Sequence, residues 1–504
     1  MTKTPPPRPE LLTAEEVEQA TLLLERIVAH RGSLAGLNNE QRERLMMAAG
    51  RASRPNKDQQ RKLHREFRRL KRDSKRAKDE ARLQATGIRE KRRDLVYLTP
   101  DAETAVAAPQ SVDPSTWPLL EESRNCYVCK KDFNRLHSFY DQMCPPCAAL
   151  NYQKRGQSAD LSGRVALLTG GRVKIGFQIG VMLLRAGARL IVTTRFPRDA
   201  ARRYAAEKDF SQWEGRLSVH GLDLRHTPSV EAFAQHLINT EERLDFVVHN
   251  ACQTVRRPSA WYGHLMEGER KAAESLPAPE REILASYEAL VVAKESLTRE
   301  TVGWTNAPAL SQLALLEEDL EGGEELFPLG ALDQDQQQID LRAKNSWRYR
   351  LHEVPTVELL EVLLVNATAP FVLNARLKPL MERVPSQDKH IVNVSAVEGQ
   401  FYRTQKTDKH PHTNMAKAAL NMMTRTAAPD YHKSGIHMNS VDTGWVTDED
   451  PVQIAERKRE VHRFHPPLDI VDGAARVLDP IFHGIETGEH VWGQFLKDYA
   501  PTKW

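Results

Sequence analysis

The chain has 504 residues, of which 40% are hydrophobic and 28% charged, and its formal net charge is +3 at pH 7. This length predicts two to four domains with room for a sizeable core. No apolar run approaches the ~18–20 residues that span a bilayer, and the first residues lack a secretory apolar stretch, so we expect neither membrane insertion nor export. Four of the five cysteines form two Cys-x-x-Cys pairs, which favours a reducing, cytoplasmic setting over a disulfide framework.

The first 55 residues predict a small helical region. Thr13 to Glu16 form a capping-box sequence, and apolar residues follow at helical spacing over 22–28. Asn39 is a candidate start for a second short helix, and Pro55 closes the region.

Residues 56–98 predict a basic segment that is helical to about residue 93. The stretch 51–93 contains 18 lysines and arginines against 6 acidic residues, whereas Leu63, Phe67 and Leu70 make only a thin apolar stripe. A solvated or acid-paired helix fits this pattern, and so does a helix that binds nucleic acid or a protein partner.

The segment 121–158 follows a predicted linker at 99–120 and contains both cysteine pairs: Cys126 with Cys129, and Cys144 with Cys147. Each pair can give two thiolates to one tetrahedral ion, and the intervening 14 residues fit a small hairpin between two knuckles. The second pair opens a helical run, so the segment resembles a treble-clef zinc finger.

Because four cysteines leave no position for water, we predict that the zinc is structural. His137 is a spare candidate ligand. The zinc could stabilise a segment that has only a small hydrophobic core and hold it against the next domain. Alternatively, the module could recognise nucleic acid or protein directly.

A turn that suits phosphate follows a short buried-strand pattern at 164–169. Gly170-Gly171-Arg172-Val173-Lys174-Ile175-Gly176 lets the backbone approach a pyrophosphate, and the next helix aims its N–H groups at the phosphates. The second strand ends at Arg195. An acid there favours NAD, whereas arginine pairs with the 2′-phosphate of NADP, so Arg195 and Lys174 predict NADP(H).

Further motifs follow in order: Asp223-Leu224, His249-Asn250-Ala251-Cys252, 366–371, 391–396, 413–420 and 439–445. From residue 159 to residue 504 this order resembles the short-chain dehydrogenase/reductase superfamily. The resemblance implies an α/β fold with a doubly wound parallel sheet of the Rossmann type. In this chain the zinc module and the helical N-terminal region precede it.

The resemblance also implies a set of cofactor-binding residues: Gly170, Gly171, Arg172, Lys174, Ile175, Gly176, Arg195, Asp223, Leu224, Asn250, Ala251, Lys417 and Thr443. Lys174 stands where the family has its middle glycine, as in pteridine-reductase-like and enoyl-reductase-like branches. Cys252 is interpreted as a positional substitute within its motif, not as a nucleophile.

The catalytic helix resembles that of the family without its proton donor. Lys417 matches the lysine that holds the nicotinamide ribose, but Thr413 stands in place of the tyrosine. Ala396 replaces the active-site serine, and Ser395, one residue early, is expected to face away because strand side chains alternate. Asn366 matches the asparagine that anchors a water beside the lysine.

Two replacements for the lost proton donor are open. His410 lies seven residues before Lys417, where enoyl-reductase-like members have their tyrosine, and His412 is its close neighbour. Tyr402 could reach the site from its loop. Each of these side chains is otherwise interpreted as a pocket-lining residue.

Between Asn250 and Asn366 lie 115 residues, where the family uses a few dozen. This insertion, at about 254–354, has an acidic run at 317–321, and its aromatic residues include Trp261, Tyr262, Trp304 and Trp347. It could be a lid, a docking surface for a macromolecule, or an intramolecular partner for the basic helix.

The sequence therefore predicts an NADP(H)-dependent oxidoreductase of divergent short-chain type, acting on a small or macromolecule-borne carbonyl or C=C group. The alternative is a catalytically impaired Rossmann protein that binds NADP(H) as a structural or sensing ligand. Its basic helix and zinc finger would then engage nucleic acid or a protein assembly. A homo-oligomer fits either hypothesis.

Overall fold

The computed structural model describes residues 11–101, 113–293, 300–320, 322–402 and 406–504. The chain divides into two compact units, Met1–Lys78 and Asp79–Trp504. Half of the predicted linker, residues 102–112, lies outside the described residues, as does Glu321 of the acidic run.

The first unit contains three helices: α1 (Ala14–Ala29), α2 (Asn39–Ser53) and the start of α3 (Lys57–Gln84). The predicted capping box opens α1, since Glu16 N donates to Thr13 Oγ1 at 3.2 Å and Thr13 N donates to the Glu16 carboxylate at 2.8 Å. Of the apolar positions at 22–28, only Ile27 is buried. The expected apolar face of α1 is therefore exposed, and it does not form a core.

The basic segment is shorter than predicted as a helix, because α3 ends at Gln84 and a separate short helix, α4 (Gly87–Lys91), follows. A Cβ on Gly87 would lie 2.7 Å from Phe139 Cδ2, so this close contact requires glycine. From Asp79 onward the segment belongs to the second unit, where Arg89 forms a buried ion pair with Asp141 at 2.6 Å.

The second unit begins with a small hairpin, β1 (Leu119–Asn125) and β2 (Asp132–Arg135), followed by α5 (Pro145–Arg155). An eight-stranded sheet follows. Its strands are β3 (Val165–Thr169), β4 (Arg189–Thr194), β5 (Leu217–Gly221), β6 (Phe246–His249), β7 (Lys389–Ser395), β8 (Ile436–Asp442), β9 (Phe495–Lys497) and β10 (Ala500–Thr502).

The strand order is β10-β9-β8-β7-β6-β3-β4-β5, and all neighbours are parallel except β9 and β10. The chain winds outward in one direction from β3 through β4 and β5, then returns to the other side of β3 with β6. This is the doubly wound topology that the sequence predicts, with its switch point between β3 and β6.

Helices α6 to α17 connect and cover the strands. They are α6 (Lys174–Arg185), α7 (Pro197–Ala205), α8 (Thr227–Thr240), α9 (Gly263–Glu269), α10 (Ala278–Ala293), α11 (Val302–Thr305), α12 (Ala307–Leu310), α13 (Thr356–Leu363), α14 (Ala369–Glu382), α15 (Pro411–His432), α16 (Val452–His462) and α17 (Ile470–Thr487). The central strands are apolar along their whole length because helices cover both faces of the sheet.

One helical run, Thr356–Glu382, is long and apolar enough to cross a membrane by length and composition, contrary to the expectation from the sequence. It comprises α13, a π-helical turn at Leu364–Thr368, and α14. Its buried residues, Leu373, Leu377 and Leu380 among them, contribute to the core of the second unit. Packing in that core explains its apolar character.

Buried histidines should make the fold sensitive to acid. Burial is the main cause that lowers the pKa of His220 to about 3 and that of His249 to about 4. In the unfolded chain these residues take up protons near pH 6.5. Their contribution to the stability of the fold is therefore fully present above that pH and is lost as the pH drops toward 4. We expect the melting temperature to fall over this window.

The melting temperature of His249→Gln should depend less on pH, since protonation of His249 alone lowers the free energy of unfolding by up to about 3 kcal/mol at the acid end of the window. Exposed His30 provides the control. If His30→Gln flattened the profile as much as His249→Gln, burial would not be the cause.

Candidate dinucleotide site and cysteine cluster

A cleft of about 510 Å³ lies at the carboxyl ends of the central strands. The glycine turn at 170–176, the residues that follow β4, β5 and β6, the insertion, and the loop at 447–452 line it. Open α/β sheets bind ligands at this edge, beside the switch point.

The glycine turn has the close contacts that the sequence predicts. Gly170 has φ +72°, and a Cβ there would lie 2.7 Å from the Cα of Ala251. A Cβ on Gly176 would lie 2.1 Å from the carbonyl oxygen of Gly170, to which Asn250 Nδ2 donates at 2.9 Å. Only glycine fits at either position, so the close packing of this turn against the residues after β6 requires both glycines.

Lys174 has φ +54°, the left-handed conformation that a glycine adopts without strain. Burial lowers the pKa of Lys174, but the carboxylates of Glu449, Asp335 and Asp333 outweigh burial and raise it above its ordinary value. The lysine is therefore a fixed positive charge at the mouth of the turn.

Arg195 lies in the cleft at the end of β4. Its Nη2 donates to the hydroxyl of Tyr262 at 2.7 Å, and its guanidinium lies 4.8 Å from the Tyr262 ring centroid. Among the residues that the structure describes, Arg195 makes no ion pair. Tyr262 orients the guanidinium, which interacts electrostatically with Asp223 without forming an ion pair with it.

Arg172 also lines the cleft but, unlike Arg195, it has an ion-pair partner. Its guanidinium forms a buried ion pair with Asp199 at 2.7 Å and donates to Gln337 Oε1 at 2.7 Å. Arg172 is thus engaged within the protein, where it ties the insertion to the glycine turn, so a cofactor would meet a guanidinium that already has partners.

Most of the predicted cofactor-binding residues line the cleft: Gly170, Arg172, Lys174, Ile175, Gly176, Arg195, Asp223, Leu224, Asn250 and Ala251. Gly171, Lys417 and Thr443 are not among the lining residues. The carbonyl of Gly171 accepts a hydrogen bond from the Tyr204 hydroxyl at 2.8 Å, so this glycine serves the packing of a helix on the sheet.

A buried charge network fixes the insertion over the cleft. Arg225 pairs with Asp223 at 2.7 Å and with Glu361 at 2.9 Å. Glu361 also accepts from Arg256 at 3.0 Å, and Arg256 forms a two-bond pair with Asp319 at 2.6 and 2.7 Å. The sequence analysis did not find Arg225, Glu361 or Arg256.

The insertion therefore contributes to the wall of the cleft. It supplies lining residues from two stretches: Thr254, Val255, Arg257, Trp261 and Tyr262, then Asp333, 337–340, Arg342 and Asn345. Its acidic residues Glu318 and Asp319 face Arg256, at 3.5 and 2.6 Å. Both acidic residues thus pair within the insertion. This part of the acidic run is therefore not the intramolecular partner of the basic helix.

Lys417 is buried on α15, and its Nζ donates to the carbonyl oxygen of Val394 at 2.7 Å. Thr413 is also buried, and its hydroxyl has no hydrogen-bond partner in the described part of the chain. Ser395 donates to Asn421 Oδ1 at 2.6 Å, away from the cleft, as the alternation of strand side chains predicts.

Asn366 lies in the π-helical turn, and its side chain forms two hydrogen bonds with the main chain of Gln253. Its Oδ1 accepts from Gln253 N at 2.8 Å, and its Nδ2 donates to Gln253 O at 3.1 Å. The side chain therefore anchors the first residues after β6, a structural role that the sequence analysis did not foresee.

The candidate proton donors have other partners. The His410 ring stacks on Trp347 of the insertion at 3.8 Å, and burial is the main cause that lowers the pKa of His410. His412 Nε2 lies 3.6 Å from a carboxylate oxygen of Glu358, and both residues are buried. Tyr402 is half exposed, and its hydroxyl lies 3.4 Å from Thr502 Oγ1. None of the three candidates lines the cleft.

Comparison with known proteins identifies the family. The model of the family described as short chain dehydrogenase matches residues 164–263, and that of Enoyl-(Acyl carrier protein) reductase matches residues 342–467. The chain belongs to the short-chain dehydrogenase/reductase superfamily. The two matches reach only the ends of the insertion, and neither of them covers residues 264–341.

Relatives of this superfamily member differ in how much they share with it. An uncharacterized protein of Acanthamoeba polyphaga mimivirus is 30% identical over 373 residues, which cover 71% of each chain. Dehydrogenase/reductase SDR family member 13 of Bos taurus is 37% identical over 120 residues, 23% of this chain and 29% of that protein. The match to the mimivirus protein thus covers a much larger share of this chain than the match to the Bos taurus protein does.

Among solved structures, the RhlG/NADP active-site complex of Pseudomonas aeruginosa is 19% identical, with a TM-score of 0.41. The match covers 67% of this chain and 95% of that one. A metagenomic short-chain oxidoreductase in complex with NADP is also 19% identical, with a TM-score of 0.38, covering 68% of this chain and 100% of that one.

Before the superfamily domain, the four paired cysteines form one cluster, with all sulfurs within 4.8 Å of one another: Cys126, Cys129, Cys144 and Cys147. The first pair lies in the turn of the β1–β2 hairpin, where Asn125 pairs with Asp132. The second pair begins α5. The hairpin therefore carries the first knuckle at its tip and does not lie between the knuckles as the spacing suggested.

His137 is not part of this cluster. Its Nδ1 accepts from Phe139 N at 2.9 Å, and its ring packs edge-on against Trp117 at 4.8 Å. Burial lowers the pKa of His137 to about 4, so the ring is neutral at pH 7. It is a core residue of the cysteine-bearing module, within the residues described.

The cysteine module packs directly against the loop that follows β8. The hydroxyl of Tyr127, inside the first knuckle, accepts from Trp445 N at 2.9 Å. Arg155 of α5 donates to both carboxylate oxygens of Asp469, at 2.6 and 2.9 Å. The same loop continues into residues 447–452, which line the cleft. The loop after β8 thus contacts the cysteine module and also contributes to the lining of the cleft.

Proposed function

We propose that the cleft binds NADP(H) and that the protein is an NADP(H)-dependent oxidoreductase. The observation that carries this proposal is Arg195, an oriented guanidinium without an ion-pair partner among the described residues, at the strand end where the family reads the adenosine ribose. A 2′-phosphate would supply the missing anion, and arginine binds phosphate through two parallel hydrogen bonds.

The residues of the cleft fit a dinucleotide phosphate. Gly170 and Gly176 allow the tight turn that brings the start of α6 to the cleft, where its N–H groups could meet a pyrophosphate, and Lys174 adds positive charge there. Asp223 lies where the family contacts adenine. When bound, the nicotinamide would supply hydride chemistry, and Lys417 would orient its ribose by exchanging its present hydrogen bond to Val394 O, since it does not line the cleft as it stands.

The oxidoreductase proposal needs a proton donor other than tyrosine. Thr413 is too weak an acid for this role, and His412, with its Nε2 3.6 Å from a carboxylate oxygen of Glu358, is our candidate. Oxidation of NADPH in the presence of a panel of aldehydes, ketones and enones tests turnover directly. Turnover that disappears in Lys417→Ala, with NADPH still bound, is the expected result.

A second candidate function is binding of NADP(H) without turnover. The observation that favours it is that His410, Tyr402 and Thr413 do not line the cleft. No turnover with any substrate class, together with tight binding of NADP(H), would support this function over the first.

We also propose that the cysteine cluster binds a structural zinc ion. Four sulfurs bound to one tetrahedral zinc at about 2.3 Å lie about 3.8 Å apart, which fits a cluster whose sulfurs all lie within 4.8 Å of one another. Four thiolates complete the coordination, so the ion would hold the module together and take no part in the reaction.

Tyr127→Phe should weaken binding of NADP(H) a few-fold and lower stability by about 1 kcal/mol, because it removes the hydrogen bond that ties the loop after β8 to the cysteine module. Calorimetric titration and thermal melts measure the two effects. Tyr152→Phe, in the aromatic cluster of the same module, is the control. Equal effects of both variants would contradict a specific role for Tyr127.

A further inference from the structure

We propose that the first part of α3, residues 57–78, binds the phosphate backbone of nucleic acid. This stretch contains eleven lysines and arginines against three acidic residues. It lies in the first unit, so the inference does not depend on the function proposed for the cleft.

The charge of this stretch is concentrated on one face of the helix. At about 100° per residue, all eleven cations fall within just over half of the circumference. Leu63, Phe67 and Leu70 lie on the opposite side. The helix therefore presents a continuous cationic surface roughly 33 Å long, not charge scattered around its axis.

The middle of the cationic face is accessible and not neutralised. Arg65, Arg68 and Arg72 are exposed, and none of them forms an ion pair among the residues described. The acids of this stretch pair elsewhere: Asp58 lies 3.8 Å from Arg61, and Glu66 lies 3.6 Å from Arg69. Exposed pairs of this kind contribute little and leave most of the positive charge available.

A linear polyanion is the partner that this surface fits best. Arginine forms forked hydrogen bonds with phosphate, and a row of arginines along a helix can follow successive phosphates of one strand. An anionic membrane fits less well, since helices that lie in a bilayer surface need a broad apolar face and this one has three large apolar residues.

The test uses the full chain and its charge-reversed variant R65E/R68E/R72E. Fluorescence anisotropy with labelled single-stranded RNA, single-stranded DNA and duplex DNA measures affinity across a salt series. We expect the parent chain to bind, with log affinity falling linearly against log salt. The variant should bind at least about tenfold more weakly at low salt, and its salt slope should be smaller by roughly 2–3.

A matched control makes the same change of charge on the second unit. Arg425, Lys433 and Arg459 are exposed there, and their triple change to glutamate should leave binding within about twofold, because phosphate contacts act locally. Circular dichroism checks that the helical content of both variants equals that of the parent chain.

Three outcomes would overturn the proposal. The parent chain could fail to bind any of the three nucleic acids at low salt. The two triple variants could weaken binding equally. Vesicles rich in phosphatidylserine could bind the parent chain while nucleic acids do not, which would assign the helix to a membrane surface. Similar affinities for RNA and DNA would support recognition of the backbone over that of the bases.

Discussion

Replacing Arg195 with aspartate is expected to weaken binding of NADPH on the order of a hundredfold and to change binding of NADH little. The substitution removes two charge-assisted hydrogen bonds, worth about 3 kcal/mol together, and puts a negative charge beside the 2′-phosphate. NADH has no phosphate at that position. Titration calorimetry with both cofactors measures the effect as a ratio of affinities.

The exposed Arg376, which pairs with Glu231 on the surface at 2.6 Å, provides the matched control for charge. Arg376→Asp should leave both affinities unchanged. Tyr262→Phe, which removes the hydroxyl that orients Arg195, should weaken NADPH by a smaller factor. If Arg195→Asp weakened NADH as strongly as NADPH, the arginine would be supporting the cleft and not reading the phosphate.

Cys126→Ser and Cys144→Ser should abolish binding of zinc and unfold the cysteine module. Structural zinc sites contribute about 10–16 kcal/mol of apparent binding free energy, and the loss of one thiolate removes much of it. Metal analysis should fall from a single zinc per chain to near none. Hydrogen exchange should rise over residues 121–158 while β3 to β8 stay protected, because the sheet has its own core.

Cys252 supplies the control, since it is an exposed cysteine outside the cluster. The Cys252→Ser variant should have the same zinc content and the same hydrogen-exchange pattern as the parent chain. A parent chain without zinc, or a Cys126→Ser variant that retains it, would remove the metal from this account.

Features that depend on neighbours in sequence could be predicted. The glycine turn, Arg195 at the end of β4, and the parallel sheet follow from local periodicity and from backbone space that only glycine provides. Positive φ at Lys174 confirms that this residue stands at a glycine position. The end of α3 could also have been found, because Gly87 interrupts the helical pattern.

Features that depend on distant contacts could not be predicted. Arg225 and Glu361 are 136 positions apart, and no local pattern marks them as partners. The same holds for the insertion, whose place over the cleft follows from buried ion pairs between remote segments. The spacing of the cysteines predicts one shared cluster but cannot assign the hairpin to the first knuckle, since spacing alone leaves the strand register open.

The central claim is that the cleft is a site for NADP(H), and direct titration of the parent chain with NADPH and with NADH tests it most directly. We expect NADPH to bind at least about tenfold more tightly, because only NADPH offers Arg195 a phosphate. Equal or tighter binding of NADH, or no binding of either cofactor, would contradict the account.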